Sequence, residues 1–126
     1  MIKLKKVQRF NPMDKEAPRK FYVSTGGSGE VDLEAMSINI SEKCTLTEPD
    51  VLAVLSALTS EMTSQLTEGK IVRFGSFGSF QLGISSKGVE NEDETSRYQV
   101  KSVRVKFRPG RRIVNALSQL KFTLTV

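Results

Sequence analysis

One short stretch of the sequence concentrates cationic side chains, the groups that bind phosphate. Six lysines and arginines fall within twelve residues, with no acid among them: Lys101, Arg104, Lys106, Arg108, Arg111 and Arg112. Alternate residues of a β-strand share one face at about 6.6–6.8 Å, which is close to the phosphate repeat of a nucleic-acid backbone. Arg104, Lys106 and Arg108 are predicted to share such a face, and Arg73 to join it. The alternative is a solvated outer face, although such faces usually mix both signs.

Catalytic and metal-binding residue types are scarce. The 126 residues include no histidine and one cysteine, Cys44. Without histidine, Ser-His-Asp and Cys-His catalysis and histidine-containing zinc sites are excluded. A single cysteine excludes an internal disulfide and points to a reducing compartment. The carboxylates of residues 90–94 lack EF-hand spacing and are interpreted as a solvated arm. We therefore expect no enzyme activity, no cofactor and no small-molecule substrate.

Charge is segregated along the chain, whose net charge is +5. Residues 1–20 hold seven bases and two acids, residues 21–68 one base and eight acids, and residues 69–126 eleven bases and four acids. Segregation of this kind favours a polyanion-binding face. No apolar run is long enough to span a membrane, and none follows the charged N-terminus as a secretory signal requires. A cytoplasmic protein is expected.

The first half of the chain shows the signals of two strands and two helices. Residues 2–7 alternate and residues 21–23 are β-prone, with a glycine-rich connector after them. Asp32 is an N-cap that opens a helix running to about Lys43. Thr47 caps a second helix of about 20 residues, which has an apolar stripe along one side. Gly69 is placed to end this helix. This helix pair carries too few cations to contact DNA phosphates and is interpreted as scaffold.

After Gly69 the apolar period changes from 3.6 to 2. A hairpin around Gly75–Gly78 is predicted, then a loop or arm at 85–99, and then a strand at 100–108 whose apolar side must be buried. A short helix and a closing strand follow, so the order is ββ, αα, βββ, α, β. Phe74, Phe77 and Phe80 are interpreted mainly as core or strand-pair residues, with base stacking as the alternative.

These signals, in this order, resemble the HU and integration-host-factor proteins, the histone-like DNA benders of bacteria. The resemblance covers about residues 32–120. It rests on the turn Ser41–Thr47 between the helices, the segment Gly75–Phe80, and the segment Val105–Arg111, which contains Phe-Arg-Pro-Gly-Arg. The basic residues 1–31 and the last strand are similar to a longer, N-terminally extended HU-like branch.

The resemblance implies an α+β fold with a two-helix base, an antiparallel sheet with a protruding arm, a short C-terminal helix and extra terminal strands. We expect one HU-like DNA-binding domain over 1–126, made of an extension (1–31), a core (32–120) and a closing strand (121–126). An intertwined homodimer is also implied. One chain has too few helices to cover its long apolar helix and its strands, which favours the same conclusion.

The resemblance also implies a saddle that contacts duplex DNA. Carried across by position, its contacts are Arg73, Ser76, Ser79, Lys106, Arg108 and Arg111. The cationic stretch itself adds Lys101, Arg104 and Arg112. The expected function is sequence-independent duplex DNA binding by a nucleoid-associated architectural protein. The alternative is an HU-scaffold dimer that serves as a protein-interaction or structural module without binding DNA.

The arm departs from the HU pattern. HU arms are basic and carry a proline that wedges between base pairs. Residues 85–99 instead contain Lys87 and Arg97 against four acids, and no proline. The sequence therefore predicts an arm that is mobile in the free protein, stays out of the minor groove and leaves DNA only weakly bent.

Overall fold

The structure is a computed structural model, and it describes residues 1–124. The predicted order of elements is confirmed. The elements are β1 (Ile2–Arg9), β2 (Lys20–Thr25), α1 (Leu33–Ser41), α2 (Glu48–Thr67), β3 (Val72–Phe74), β4 (Gly78–Ser86), β5 (Val100–Pro109), α3 (Arg111–Leu117) and β6 (Phe122–Leu124). The part of the predicted closing strand at 125–126 lies outside the described residues.

The chain forms two compact units. The N-terminal unit combines residues 1–31 with the chain from Ala116 onward, and the core unit runs from Asp32 to Asn115. The single domain expected over 1–126 stays a prediction. None of the helices within residues 1–124 has the length and hydrophobicity that a membrane span requires.

A three-stranded sheet, in the order β2-β1-β6, builds the N-terminal unit. β1 and β2 are antiparallel, with Val7 opposite Tyr22, whereas β1 and β6 are parallel, with Ile2 opposite Phe122. The glycine-rich connector leaves this sheet at Gly26, whose amide donates a 2.8 Å hydrogen bond to the Lys3 carbonyl. We call this sheet the N-terminal sheet.

The first two helices, α1 and α2, begin at the predicted caps. The Asp32 carboxylate accepts a hydrogen bond from the Ala35 amide at 2.9 Å. The Thr47 hydroxyl accepts one from the Asp50 amide at 3.4 Å and opens a helix of 20 residues. Such side-chain acceptors satisfy amides that lack a partner in the first turn. The first helix ends at Ser41, two residues before the predicted position.

Strands β3, β4 and β5 form an antiparallel sheet in that order, which we call the core sheet. A 3₁₀ turn at Gly75–Phe77 joins β3 to β4, and Gly78 has φ of +152°, which favours glycine. On the apolar face, the Phe107 ring lies 4.8 Å from the Phe80 ring and 5.6 Å from the Phe77 ring, centroid to centroid. The interpretation as core or strand-pair residues is confirmed for Phe74, which pairs with Gly78, and for Phe80, which pairs with Phe107. Phe77 lies in the 3₁₀ turn and is 42% exposed.

The prediction that the apolar side of β5 is buried is wrong for the single chain. Val103 and Val105 are each 58% exposed, and Phe107 is 42% exposed. The reason is the sheet order: α2 packs against β3 and β4, whereas β5 lies at the edge of the sheet. Within residues 1–124, the buried residues are Ser37, Val51, Gly78 and Gly83.

Candidate nucleic-acid interface

The register of the core sheet gathers the predicted cations onto one face. Arg108 pairs with Ser79, which pairs on its other side with Arg73. Lys106 pairs with Gln81, and Arg104 pairs with Gly83. Directly paired residues share a face of a sheet. We call this surface the basic face. Its members are Arg73, Ser79, Gln81, Gly83, Arg104, Lys106 and Arg108.

The cations of the basic face are exposed and are not neutralised by acids. Arg73, Arg104, Lys106 and Arg108 are all exposed. In the described part of the chain, the ion pair that forms joins Lys70 to Glu68 at 3.4 Å, outside this face. Several like charges at strand spacing without counter-charges create a positive potential that attracts anions.

Gly83 lets the Lys106 side chain lie across the sheet. A Cβ atom added at Gly83 would meet the Cδ and Nζ atoms of Lys106 at 3.2 Å and overlap its Cε atom. The absence of a side chain at Gly83 therefore makes room for the lysine stem. Beside it is a hollow of about 580 Å³ whose lining includes Arg73, Gln81, Lys106 and Arg108. Three of its eight lining residues are cations and none is an acid, which suits a phosphate group.

A close backbone contact sets the position of the remaining predicted cations. The Gly110 amide donates a 2.8 Å hydrogen bond to the Phe77 carbonyl, and a Cβ atom at Gly110 would overlap the Ser76 carbonyl. The hairpin turn therefore rests directly on the Pro-Gly step that ends β5. Arg111 and Arg112 follow at the start of α3, both exposed.

Ser76, Arg112 and Lys101 are predicted contact residues that are not members of the basic face. Ser76 and Arg112 line an apolar hollow of about 490 Å³ together with Arg73 and Phe77. Lys101 is an extra residue in the ladder, because Ser86 pairs with Val100 while Ser85 pairs with Ser102. Such a bulge interrupts strand alternation, so the period of β5 does not assign Lys101 to the basic face.

Comparisons with known proteins agree with this geometry. A family model described as "HU domain fused to wHTH, Ig, or Glycine-rich motif" matches residues 1–124. The chain belongs to this HU-like family. Comparison with the curated proteins gives no match.

Two solved structures share the fold of this HU-like chain. A proposed DNA-binding protein of Bacteroides vulgatus superposes with a TM-score of 0.64 at 11% identity, over 97% of this chain. This chain spans 47% of the length of that protein. HU from Anabaena, in a cocrystal structure with DNA, superposes with a TM-score of 0.57 at 17% identity, over 71% of this chain and 100% of the HU chain.

Sequence reasoning missed Gln81 and Gly83. Both lie on the basic face because β4 alternates from Ser79 onward, with Phe80, Leu82 and Ile84 turned to the other side. That alternation was the available signal. Neither a glycine nor a neutral amide is a residue type that indicates phosphate binding. Gly83 nevertheless leaves the space that the Lys106 side chain occupies.

The acidic arm of this HU-like chain is closed by its own hydrogen bonds. The Lys87 amide donates to the Gln99 carbonyl at 2.8 Å, and the Gln99 side chain donates back to the Lys87 carbonyl at 2.6 Å. Between them, Glu92–Glu94 form a 3₁₀ turn in which the Asn91 side chain donates to Glu94 at 3.0 Å. Within residues 1–124, no group of three or more His, Cys, Asp or Glu is placed to hold a metal ion. The predicted mobility of the arm stays a prediction.

Proposed function

We propose that this HU-like chain binds duplex DNA without sequence preference, as a nucleoid-associated architectural protein. The observation that carries the proposal is the row of exposed cations on the basic face, which has no acid among its members. Arginine and lysine contact phosphates, which every DNA sequence presents alike. The proposed contacts are Arg73, Ser76, Ser79, Lys101, Arg104, Lys106, Arg108, Arg111 and Arg112, with Gln81 added.

The helices of the core unit support binding through the sheet. α2 contains Glu48, Asp50 and Glu61 and no lysine or arginine, so DNA phosphates would repel it. α3 has seven residues and begins beside the hairpin turn. The relatives agree with DNA as the ligand, since the Anabaena HU structure is a complex with DNA and the Bacteroides vulgatus protein is proposed to bind DNA.

A homodimer is part of the proposal. Val103, Val105 and Phe107 are exposed on the apolar face of β5, and Val54 of α2 is 58% exposed. An apolar sheet face and an apolar helix stripe need a second layer, which one chain does not supply. A second copy of the chain provides that layer and doubles the number of phosphate contacts.

The second candidate is a protein-interaction or structural module built on the same dimer. The acidic arm favours it, because Glu92, Asp93 and Glu94 are exposed and would repel phosphates in a narrow groove. A partner with a basic surface would be attracted to the same residues.

The test is a titration of random-sequence duplex DNA at about 50 mM salt, where phosphate contacts are strong. Replacing Arg104, Lys106 and Arg108 by glutamate should weaken binding by at least about 100-fold and lower the salt slope by about 2.7, at 0.9 per contact. The control variant replaces Lys15, Lys43 and Lys87 by glutamate, which changes net charge equally but lies outside the basic face.

The two candidates predict different results with the wild-type protein. Binding that depends on Arg104, Lys106 and Arg108 supports the DNA-binding function. No binding to any duplex at this salt concentration supports the protein-interaction module. Equal losses in the two charge-reversed variants would remove the basic face from the interface and leave only a general effect of net charge.

A further inference from the structure

The N-terminal sheet has a basic face of its own. The period of β1 places Lys3, Lys5 and Arg9 on one side, and the register adds Lys20, which lies directly opposite Arg9. All four side chains are exposed. Ile2 and Leu4 occupy the other side. We call the four cations the N-terminal cations.

Within residues 1–124, none of the N-terminal cations forms an ion pair with an acid. Like charges directly opposite each other on neighbouring strands destabilise a sheet. The nearest acids in sequence, Asp14 and Glu16, lie in the turn region between β1 and β2, where the Asp14 carboxylate accepts a hydrogen bond from the Glu16 amide at 3.1 Å. The opposed pair of Arg9 and Lys20 is therefore a local cost that an anionic ligand would relieve.

A cleft of about 570 Å³ opens beside this pair. Its lining includes two cations, two aromatic rings and two prolines: Arg9, Lys20, Phe10, Tyr22, Pro12 and Pro18. Phe10 is 54% exposed and Tyr22 is 50% exposed, whereas Asp14 and Glu16 do not line the cleft. Exposed aromatic rings next to cations are the combination by which proteins hold unpaired nucleotides, with the ring against a base and the cation on a phosphate.

We propose that this cleft and the N-terminal cations form a second nucleic-acid site, which binds single-stranded DNA. Duplex DNA keeps the faces of its bases stacked inside the helix, so Phe10 and Tyr22 would have no partner there. A single strand exposes those faces, and every base can stack on a ring, so binding would be tolerant of sequence. The site differs from the basic face of the core sheet in position and in ligand.

The first experiment removes the opposed cations. In the variant with Arg104, Lys106 and Arg108 replaced by glutamate, a labelled oligothymidylate is titrated by fluorescence anisotropy. Adding R9Q and K20Q should weaken binding at least about tenfold and lower the salt slope by about 1.4, at 0.7 per single-strand contact. The matched control adds K6Q and K15Q, because Lys6 lies on the opposite face of β1 and Lys15 lies outside the cleft.

The outcomes separate this site from the duplex site. An equal loss in the two glutamine variants would overturn the proposal, because net charge alone would explain it. No single-strand binding in the charge-reversed background would also overturn it, without touching the duplex proposal, which is measured on random duplex. R9Q and K20Q are not expected to unfold the sheet, because they remove a repulsion.

The second experiment tests the ring. Y22A should weaken oligothymidylate binding by about 5- to 150-fold, the range expected for loss of one stacked base, and Y22F should restore it. A crosslink from 5-iododeoxyuridine to Phe10 or Tyr22 would support the assignment of the cleft. Unchanged affinity in Y22A, with the fold intact by circular dichroism, would overturn it.

Discussion

The core sheet and the N-terminal sheet follow the same plan and differ in what lies between their charges. Each has three strands with a cationic side and an apolar side, and on each the apolar side is exposed, with Val105 at 58% and Val23 at 61%. In the core sheet, each cation of the basic face pairs with a small or neutral residue of β4 and not with another cation. In the N-terminal sheet, Arg9 faces Lys20 directly beside a cleft with two aromatic rings. Strand period makes both faces, but register decides which side chains lie opposite each other on each of them.

The largest expected effect concerns the two apolar sides. V105D places a charge on the apolar face of the core sheet, where we propose that a second chain packs, and burying an unpaired charge is costly. The dissociation constant of the dimer should rise by at least about 100-fold, equivalent to about 2.7 kcal/mol. Sedimentation velocity at micromolar concentration measures it.

The matched variant V23D changes the apolar side of the N-terminal sheet instead. The V23D protein should remain a dimer, with a mass twice the 14.0 kDa of one chain. A dimer that survives V105D but dissociates in V23D would reverse the comparison, and a well-folded wild-type monomer would refute the dimer itself.

The second prediction compares glycines. G110A should lower the free energy of unfolding by about 1–3 kcal/mol, because the new Cβ atom overlaps the backbone carbonyl of Ser76 and no rotamer change relieves that contact. G27A should be neutral or slightly stabilising, since nothing lies within 4 Å of its added Cβ atom. Urea denaturation of both variants measures the difference, and equal stabilities would show that the hairpin turn is not held by Gly110.

The third prediction concerns the lysine that crosses Gly83. G83A should keep the fold but displace the flexible end of Lys106, and duplex affinity should fall about three- to eightfold at 0.1 M salt, the value of one phosphate contact. G26A should have no effect, because its Cβ atom would lie 3.5 Å from the Lys3 carbonyl in an ordinary contact. A salt titration that gives G83A the wild-type slope would show that Lys106 does not contact phosphate.

The smallest effect is expected in the acidic arm. Excising residues 90–94 removes four carboxylates that would repel phosphates, so duplex affinity should stay the same or rise by about threefold at most. The same titration measures it, with energy transfer between labelled DNA ends as a measure of bending. A large loss of affinity on excision, or strong bending by the intact protein, would make the arm a contact.

The sequence predicted those parts of the fold that depend on neighbouring residues. The caps at Asp32 and Thr47, the hairpin turn and the alternation of β5 are local, and each lies where its signal indicated. The alternation of β5 alone predicted that Arg104, Lys106 and Arg108 share one face. Arg73 is aligned with Arg108 through Ser79, however, and only the pairing of three strands shows that alignment.

What the sequence did not predict depends on distant partners. The bulge at Lys101 leaves only one mark in the sequence, the spacing of three between Val100 and Val103, and the ladder is needed to interpret that spacing as a bulge. The exposure of Phe107 depends on what packs over an edge strand. The cleft beside Arg9 and Lys20 arises because the chain returns on itself between β1 and β2, which brings residues eleven apart into direct opposition.

The parallel pairing of β1 with β6 has a consequence for the order in which the protein takes shape during synthesis. Ile2 and Phe122 are neighbours in the sheet but lie at opposite ends of the described chain, with the whole core unit between them. The β1–β2 hairpin is available early, but one edge of β1 keeps unpaired amides and carbonyls until β6 emerges from the ribosome. An open edge of this kind can pair with another chain. The N-terminal sheet is thus completed only after the core unit, a continuous insertion between its strands, has been synthesised.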